Sequence, residues 1–335
     1  MNFNAVGDGA RYLSQARQNT QLKTKLNTLA AQLSSGEVKD KVKKLGGDTI
    51  YFSAIDHSLR TLSAKLVRNR ETTNLLGAMQ RTLDGFDNQR AALAETLTKV
   101  TRDSPQVQID DAARGAVGRF GTLVNTLNTE FAGRRLFAGT AVDQPALAPP
   151  ADMLADLVTA IGGATDFATI EAAVDAWFDD PAGGFATMGY LGDTGAGITR
   201  RLDETTVATI EARADNPELR NTLKGAAIAA IAHQLPGLDK ATKSELLFQG
   251  GIRLQSAAAL VVDVQSRLGF LESEVARITT LQTAEEAGLT LARNDIANDD
   301  PFATASALQE VQVQLETHYQ LTARLSQLSL ATFLR

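Results

Sequence analysis

Apolar residues along this chain recur at alternating steps of three and four. Leu22, Leu26, Leu29 and Leu33 are spaced four, three and four. Ile55, Leu59, Leu62 and Leu66 repeat the rhythm, and Met79, Leu83, Phe86, Leu93, Leu97 and Val100 carry it on with one polar gap. Val117, Phe120, Val124, Leu127 and Phe131 follow at three, four, three and four. Such spacing puts the side chains on one stripe of an α-helix and predicts helices packed nearly side by side. A second block lies far downstream, with Val261, Val264, Leu268, Leu271, Val275 and Ile278, extended by Leu289, Ala292 and Ile296. Unbroken from about Leu254 to Ile296, that helix would be about 60–65 Å long at 1.5 Å per residue, which predicts an elongated molecule.

Breakers divide these blocks. Ser34-Ser35-Gly36 closes the first helix. Asp103-Ser104-Pro105 separates two others, with Asp103 or Ser104 placed to cap and Pro105 suited to the first helical turn. Asn298-Asp299-Asp300-Pro301 ends the long helix and opens the last one by the same logic.

The middle of the chain reads differently. Pro145, Pro149 and Pro150 mark a boundary, followed by short helical segments around Met153–Ile161 and Phe167–Phe178. Ile198–Leu202 and Val207–Ala212 carry β-branched residues about a polar break and read as short strands. Asn216-Pro217-Glu218 opens a further helix through about Ala232. The expected fold is therefore mainly α: an elongated long-helix bundle or coiled coil formed by both chain ends, with a small α+β domain inserted in the middle. Three parts follow: residues 1–40 with 300–335, residues 41–138 with 238–299, and the insert 139–237.

The two ends stand apart from the rest. Leu22, Leu26, Leu29 and Leu33 form a narrow stripe among Gln, Lys, Thr, Asn and Ser. The last helix offers Leu308, Val311, Leu315, His318 or Tyr319, Thr322, Leu325 and Leu328. Either helix alone is marginal in water. Burying four leucines is worth roughly 6–12 kcal/mol before ordering costs. Two such helices, each beyond a breaker, predict pairing with each other, with neighbouring subunits, or both. Leu22, Leu26, Leu29, Leu33, Leu308, Val311, Leu315, Leu325 and Leu328 are the expected assembly interface.

Composition narrows the function. Hydrophobic residues make up 44% of the 335 positions and aromatic ones 5%, which suits helix-on-helix packing better than a β-sandwich. The formal charge of −6 leaves no basic stripe to follow a phosphate backbone, so no nucleic-acid partner is expected. The densest basic run, Lys39 to Lys44, reads as a solvated loop or helix face. No cysteine is present, which excludes disulfides, thiolate zinc sites and thiol catalysis. His57, His233 and His318 are far apart, and no metal or cofactor site is expected. Residues 1–8 lack the pattern of a cleavable signal peptide. The longest apolar run, Gly225–Ala232, is too short to span a bilayer, so no membrane partner is expected.

Candidate chemistry reduces to one triplet. Asp193-Thr194-Gly195 matches the catalytic sequence of aspartic proteases, in which two carboxylates share a proton. That chemistry needs two such loops on an all-β frame. This chain has one, among glycines, and the turn reading is preferred. Gly192–Gly197 also lacks the Lys-Ser/Thr pair of a phosphate loop. No enzyme activity is expected.

Several segments together resemble the flagellin family of bacterial flagellar axial proteins. Gln32-Leu33-Ser34-Ser35-Gly36 is similar to the Leu-Ser-Ser/Thr-Gly ending of that family's first helix. Leu325 to Arg335 resembles its Leu-rich end with a terminal Arg. Gly133-Arg134-Arg135-Leu136-Phe137-Ala138-Gly139-Thr140 resembles a Gly-Arg-x-Leu-Phe-Ala-Gly segment that precedes the outer domain, and Tyr190-Leu191-Gly192-Asp193 resembles that domain's Tyr-x-Gly-Asp turn. Glu37 to Leu45 departs from the Arg-Ile-Asn-x-Ala stretch usual in flagellin itself. The Leu-Phe-Ala-Gly-Thr segment and the single small insert are more like the member at the hook–filament junction. Flagellin is the alternative within the family, and a cytoplasmic helical adaptor the alternative outside it.

The resemblance implies a structural adaptor, self-associated as a ring of about eleven subunits. Its implied partners are hook-associated protein 1, flagellin and a flagellar export chaperone. The terminal helices would line the inner tube. The implied location is extracellular, on the flagellum, reached by flagellar type III export.

Overall fold

A computed structural model of the chain describes residues 3–45 and 49–333, and of these the side chains of 3–9, 11 and 325–333 fall outside the description. It is mainly α, and it divides into two compact units. One comprises residues 1–63 and 283–335 and is called here the end unit; the other, residues 64–282, is called the central unit.

In the end unit, α1 (Phe3–Ser35) packs against α9 (Pro301–Phe333). Both predicted stops act as stops. α1 closes at Gly36, which takes φ +73°, and its N–H reaches the Gln32 carbonyl at 2.7 Å. Asp300 caps α9, accepting from the Phe302 and Ala303 N–H groups at 2.9 and 3.2 Å. The two stops are stitched together: Val38 N–H donates to the Ala297 carbonyl at 2.9 Å, and Asp299 N–H to the Gly36 carbonyl at 3.0 Å. This joins the C-terminus of α1 to the N-terminus of α9 and sets the two helices antiparallel. The basic run contains a single helical turn, α2 (Lys41–Lys44), capped by Asp40. Lys41 pairs with Glu37 at 2.9 Å and Arg293 with Asp56 at 2.9 Å, and both cations lie over the Phe52 ring.

The central unit is built on α3 (Ile50–Thr98) and α8 (Lys240–Ala297), which enter it from outside. Within it they run antiparallel. Gln80 Nε2 donates to the Gln265 carbonyl at 2.8 Å, and the buried Arg90 donates to the Leu254 carbonyl at 2.9 Å. The stripe that predicted a helix from Leu254 to Ile296 is part of this longer one. α4 (Gln106–Leu127) and α7 (Pro217–Gln234) pack on each other, and α5 (Pro150–Ile161) and α6 (Phe167–Asp179) cover α7. One core joins Met79, Leu83 and Phe86 of α3, Phe120 and Leu123 of α4, Ile228 of α7 and Val261 of α8, all essentially fully buried. The run Gly225–Ala232 lies inside α7, which is buried on all sides from Thr222 to Ala232. A Cβ on Gly250 would stand 2.9 Å from the Gly225 carbonyl, so two glycines let α8 cross α7 closely.

The two short strands form as expected: β3 (Ile198–Arg201) pairs antiparallel with β4 (Val207–Ile210). Three details differ from the sequence reading. α4 stops at Leu127, so Phe131, counted in its stripe, lies in a small hairpin of β1 (Glu130–Phe131) and β2 (Arg134–Arg135). Its turn holds Ala132 and Gly133 at φ +50° and +75°, which no helix can continue through. Pro105 sits just before α4 and not within it, and Ser104 instead accepts from Thr101 N–H at 3.1 Å. A π-helical turn, Phe185–Gly189, had no signal in the spacing of apolar residues.

Candidate assembly interface

The α1/α9 pair is where the expected interface residues meet, and its sequence explains its incompleteness. A stripe of one leucine per turn is too narrow to be covered on both flanks by a single partner helix. Leu22, Leu26, Leu29, Leu308 and Leu315 are accordingly half-buried. Val311 is 1% exposed, whereas Leu33 is 42% exposed. Leu325 and Leu328 belong to α9, but their side chains lie outside the described residues.

Beside the apolar seam runs a polar one. Thr20, Thr24 and Thr28 turn their hydroxyls back to the carbonyls four residues before, each at 2.9 Å. Tyr12, Lys23, His318 and Thr322 help to line an open groove of about 460 Å³ there. Lys23 stands 5.8 Å over the Tyr319 ring. His318 Nδ1 is buried without a hydrogen-bond partner. Of the two residues read as sharing one stripe position, His318 turns its ring nitrogen inward and Tyr319 is 44% exposed.

The end unit also presents apolar side chains to solvent that the stripes omit. Tyr12, Leu13, Phe302, Val313 and Leu321 on α1 and α9 are 44–81% exposed as a group with Tyr319, Phe302 the most. Ile50, Tyr51 and Leu291 are exposed on the other helices of the unit. They were missed because they fall off the three-four rhythm and form no stripe of their own. The usable signal was the presence of large apolar residues on faces otherwise filled by Gln, Thr and Lys.

The difference in burial between the units is large. Among the described residues of the end unit, the fully buried side chains are Ile55, Leu62, Ala297, Thr304 and Val311. The core cluster lies wholly between Leu75 and Ile278, inside the central unit.

The Asp193-Thr194-Gly195 triplet is a turn. Asp193 Oδ1 accepts the Gly195 N–H at 3.0 Å, Oδ2 accepts the Thr140 hydroxyl, and Asp193 N–H donates to the Ala138 carbonyl at 2.9 Å. The Thr140 hydroxyl and then the Gly195 N–H hold the Asp193 carboxyl below its ordinary range. Tyr190 donates its hydroxyl to the Asp193 carbonyl at 3.0 Å, and burial pushes its phenol up. The segments Phe137–Thr140 and Tyr190–Asp193, far apart in sequence, are thus bonded to each other. Among the described residues no group of three His, Asp or Glu is arranged to hold a metal, and no helix is long and apolar enough to cross a membrane.

No family model matches this sequence, and no curated protein does either. Among solved structures, two similar chains come from flagellar proteins. One is FlgL from Bacillus cereus, at 13% identity and a TM-score of 0.50, covering 70% of this chain and 96% of that one. Another is described as a flagellar hook-associated protein from Vibrio parahaemolyticus, at 9% identity and a TM-score of 0.47, covering 74% and 96%.

Proposed function

We propose that this chain is a structural subunit of the bacterial flagellum, the hook–filament junction protein also called hook-associated protein 3. The observation that carries the reading is the contrast between a central unit with a closed core and an end unit whose described residues form almost none. A helix pair that leaves Tyr12, Leu13 and Phe302 in solvent gains burial when further helices pack on it, and neighbouring copies supply them. The shared fold with FlgL and the resemblances at residues 32–36, 133–140 and 190–193 agree with this.

In this reading residues 1–40 with 300–335 are the assembly part, joined as a coiled coil through Leu22, Leu26, Leu29, Leu33, Leu308, Val311, Leu315, Leu325 and Leu328. Residues 41–138 with 238–299 form a helical rod, and 139–237 an outer domain. The chain self-associates in a ring between hook-associated protein 1 and flagellin. It is delivered by an export chaperone to the flagellar type III channel and acts outside the cell without catalysis. Immunogold labelling of sheared flagella tests this. Label confined to the hook–filament boundary is the expected result. Label along the whole filament would make the chain a flagellin, and label restricted to the cytoplasm would overturn a flagellar role.

A further inference from the structure

Near the end of the central unit, where α3 enters it and α8 leaves, apolar burial on these two helices lapses. No apolar side chain is fully buried from residue 64 to 74 or from 279 to 282. Two carboxamides are buried there instead, Asn69 fully and Gln282 at 5% exposure. Asn69 Nδ2 donates to Gln282 Oε1 at 2.9 Å, linking α3 to α8. Both amides also donate to one acceptor, the Leu202 carbonyl at the β3–β4 turn, at 3.2 and 3.1 Å.

We propose that the β3–β4 hairpin is a latch that holds this end of the α3/α8 pair closed, with Asn69 and Gln282 as its pin. Three features support the assignment. The turn is built to present that carbonyl: Asp203 Oδ1 accepts the Thr205 and Thr206 N–H groups at 2.8 and 2.6 Å. Lys65 reaches across to Glu204 at 3.0 Å, so the same turn is fastened at a second point on α3. And Asn69 Oδ1 remains buried without a partner, a cost that a pair of leucines would avoid. Directional bonds to one carbonyl tolerate a single docked position, whereas an apolar seam tolerates sliding and partial opening. The latch therefore stops fraying that begins around residues 63 and 283 from reaching the core, whose first buried apolar residues are Leu75 and Ile278.

Hydrogen exchange on the full chain tests the latch. In the double variant Asn69→Leu with Gln282→Leu, amides of residues 198–210 and 64–74 should exchange about tenfold faster. Amides of 222–232 in α7 should keep their wild-type rates. Unchanged protection across 198–210 would overturn the proposal. Asp203→Ala, which leaves both helices untouched, should speed exchange in the same two segments by a smaller factor of about three. If the double variant does not fold, Asp203→Ala decides: acceleration confined to the hairpin, without 64–74, refutes the latch.

Discussion

If the α1/α9 pair serves assembly as proposed, replacing Val311 with Asp should separate assembly from folding. Val311 is 1% exposed between α1 and α9, in a unit with few other buried side chains among its described residues. Losing the buried valine forfeits about 1.5–3 kcal/mol, and a carboxylate held in its place without a cation costs several kcal/mol more. The total is comparable to what the five half-buried leucines of the pair contribute before ordering costs, so α9 should detach from α1. The core cluster begins at Leu75 and ends at Ile278, so the central unit should not register the change. Circular dichroism should show the main melting transition within about 1 °C of wild type, because 1 kcal/mol corresponds to roughly 2–4 °C in a unit of this size. Hydrogen exchange should show α1 losing its protection, and the variant should fail to restore motility to a strain lacking the protein. A variant that keeps α1 protected and swims normally would refute the reasoning. So would a main transition lowered by more than about 4 °C, since residue 311 would then be supporting the core.

Three further outcomes follow from the geometry. Leu123→Ala, at a fully buried position of α4, should destabilise the central unit by about 2–5 kcal/mol in urea titrations, with the α1/α9 pair affected only through that loss. Gly139→Ala should cost about 1–3 kcal/mol by the same measurement, since φ is +64° and the new Cβ would stand 2.8 Å from the Asp193 carbonyl. The pH dependence has a definite sign: the folded state lowers the Asp193 pKa below its ordinary 3.8, so its contribution is complete above that value and disappears as pH falls through the folded one. Urea midpoints followed from about pH 6 to pH 2.5 should therefore fall less steeply in Asp193→Asn than in wild type.

Most of the helices were legible because burial in them follows one stripe; α7, buried on all sides, was marked instead by Asn216-Pro217 at its start. Where a stripe had a capping residue and a glycine or proline beyond it, as at Gly36 and Pro301, the boundary was legible too. Phe131 is the exception: it keeps the spacing of α4 while the backbone turns, because a phenylalanine can reach the same core from a hairpin. The stitching of residues 36–38 to 297–299 had no signature, since backbone hydrogen bonds depend on no side chain. The candidate interface was half legible. The leucine stripes pointed to the α1/α9 pair, but the open faces carrying Tyr12 and Phe302 obey no period, because neither helix of the pair covers them. The Asn69–Gln282 pair was silent for a similar reason: two amides 213 positions apart acquire meaning only when a third element offers them a carbonyl.

The pairing of α1 with α9 also has a kinetic side. Lys23 and Tyr319 stand close although most of the chain lies between them, so this contact closes a very long loop. Closing it early would carry a large entropic penalty, and contacts of such high sequence separation form slowly. The central unit needs neither partner and can condense first, drawing residues 63 and 283 together and shortening the effective loop to two tails. Order of folding would thereby be coupled to the proposed order of use: the faces that the proposed function assigns to other subunits stay unmatched until everything between them has settled.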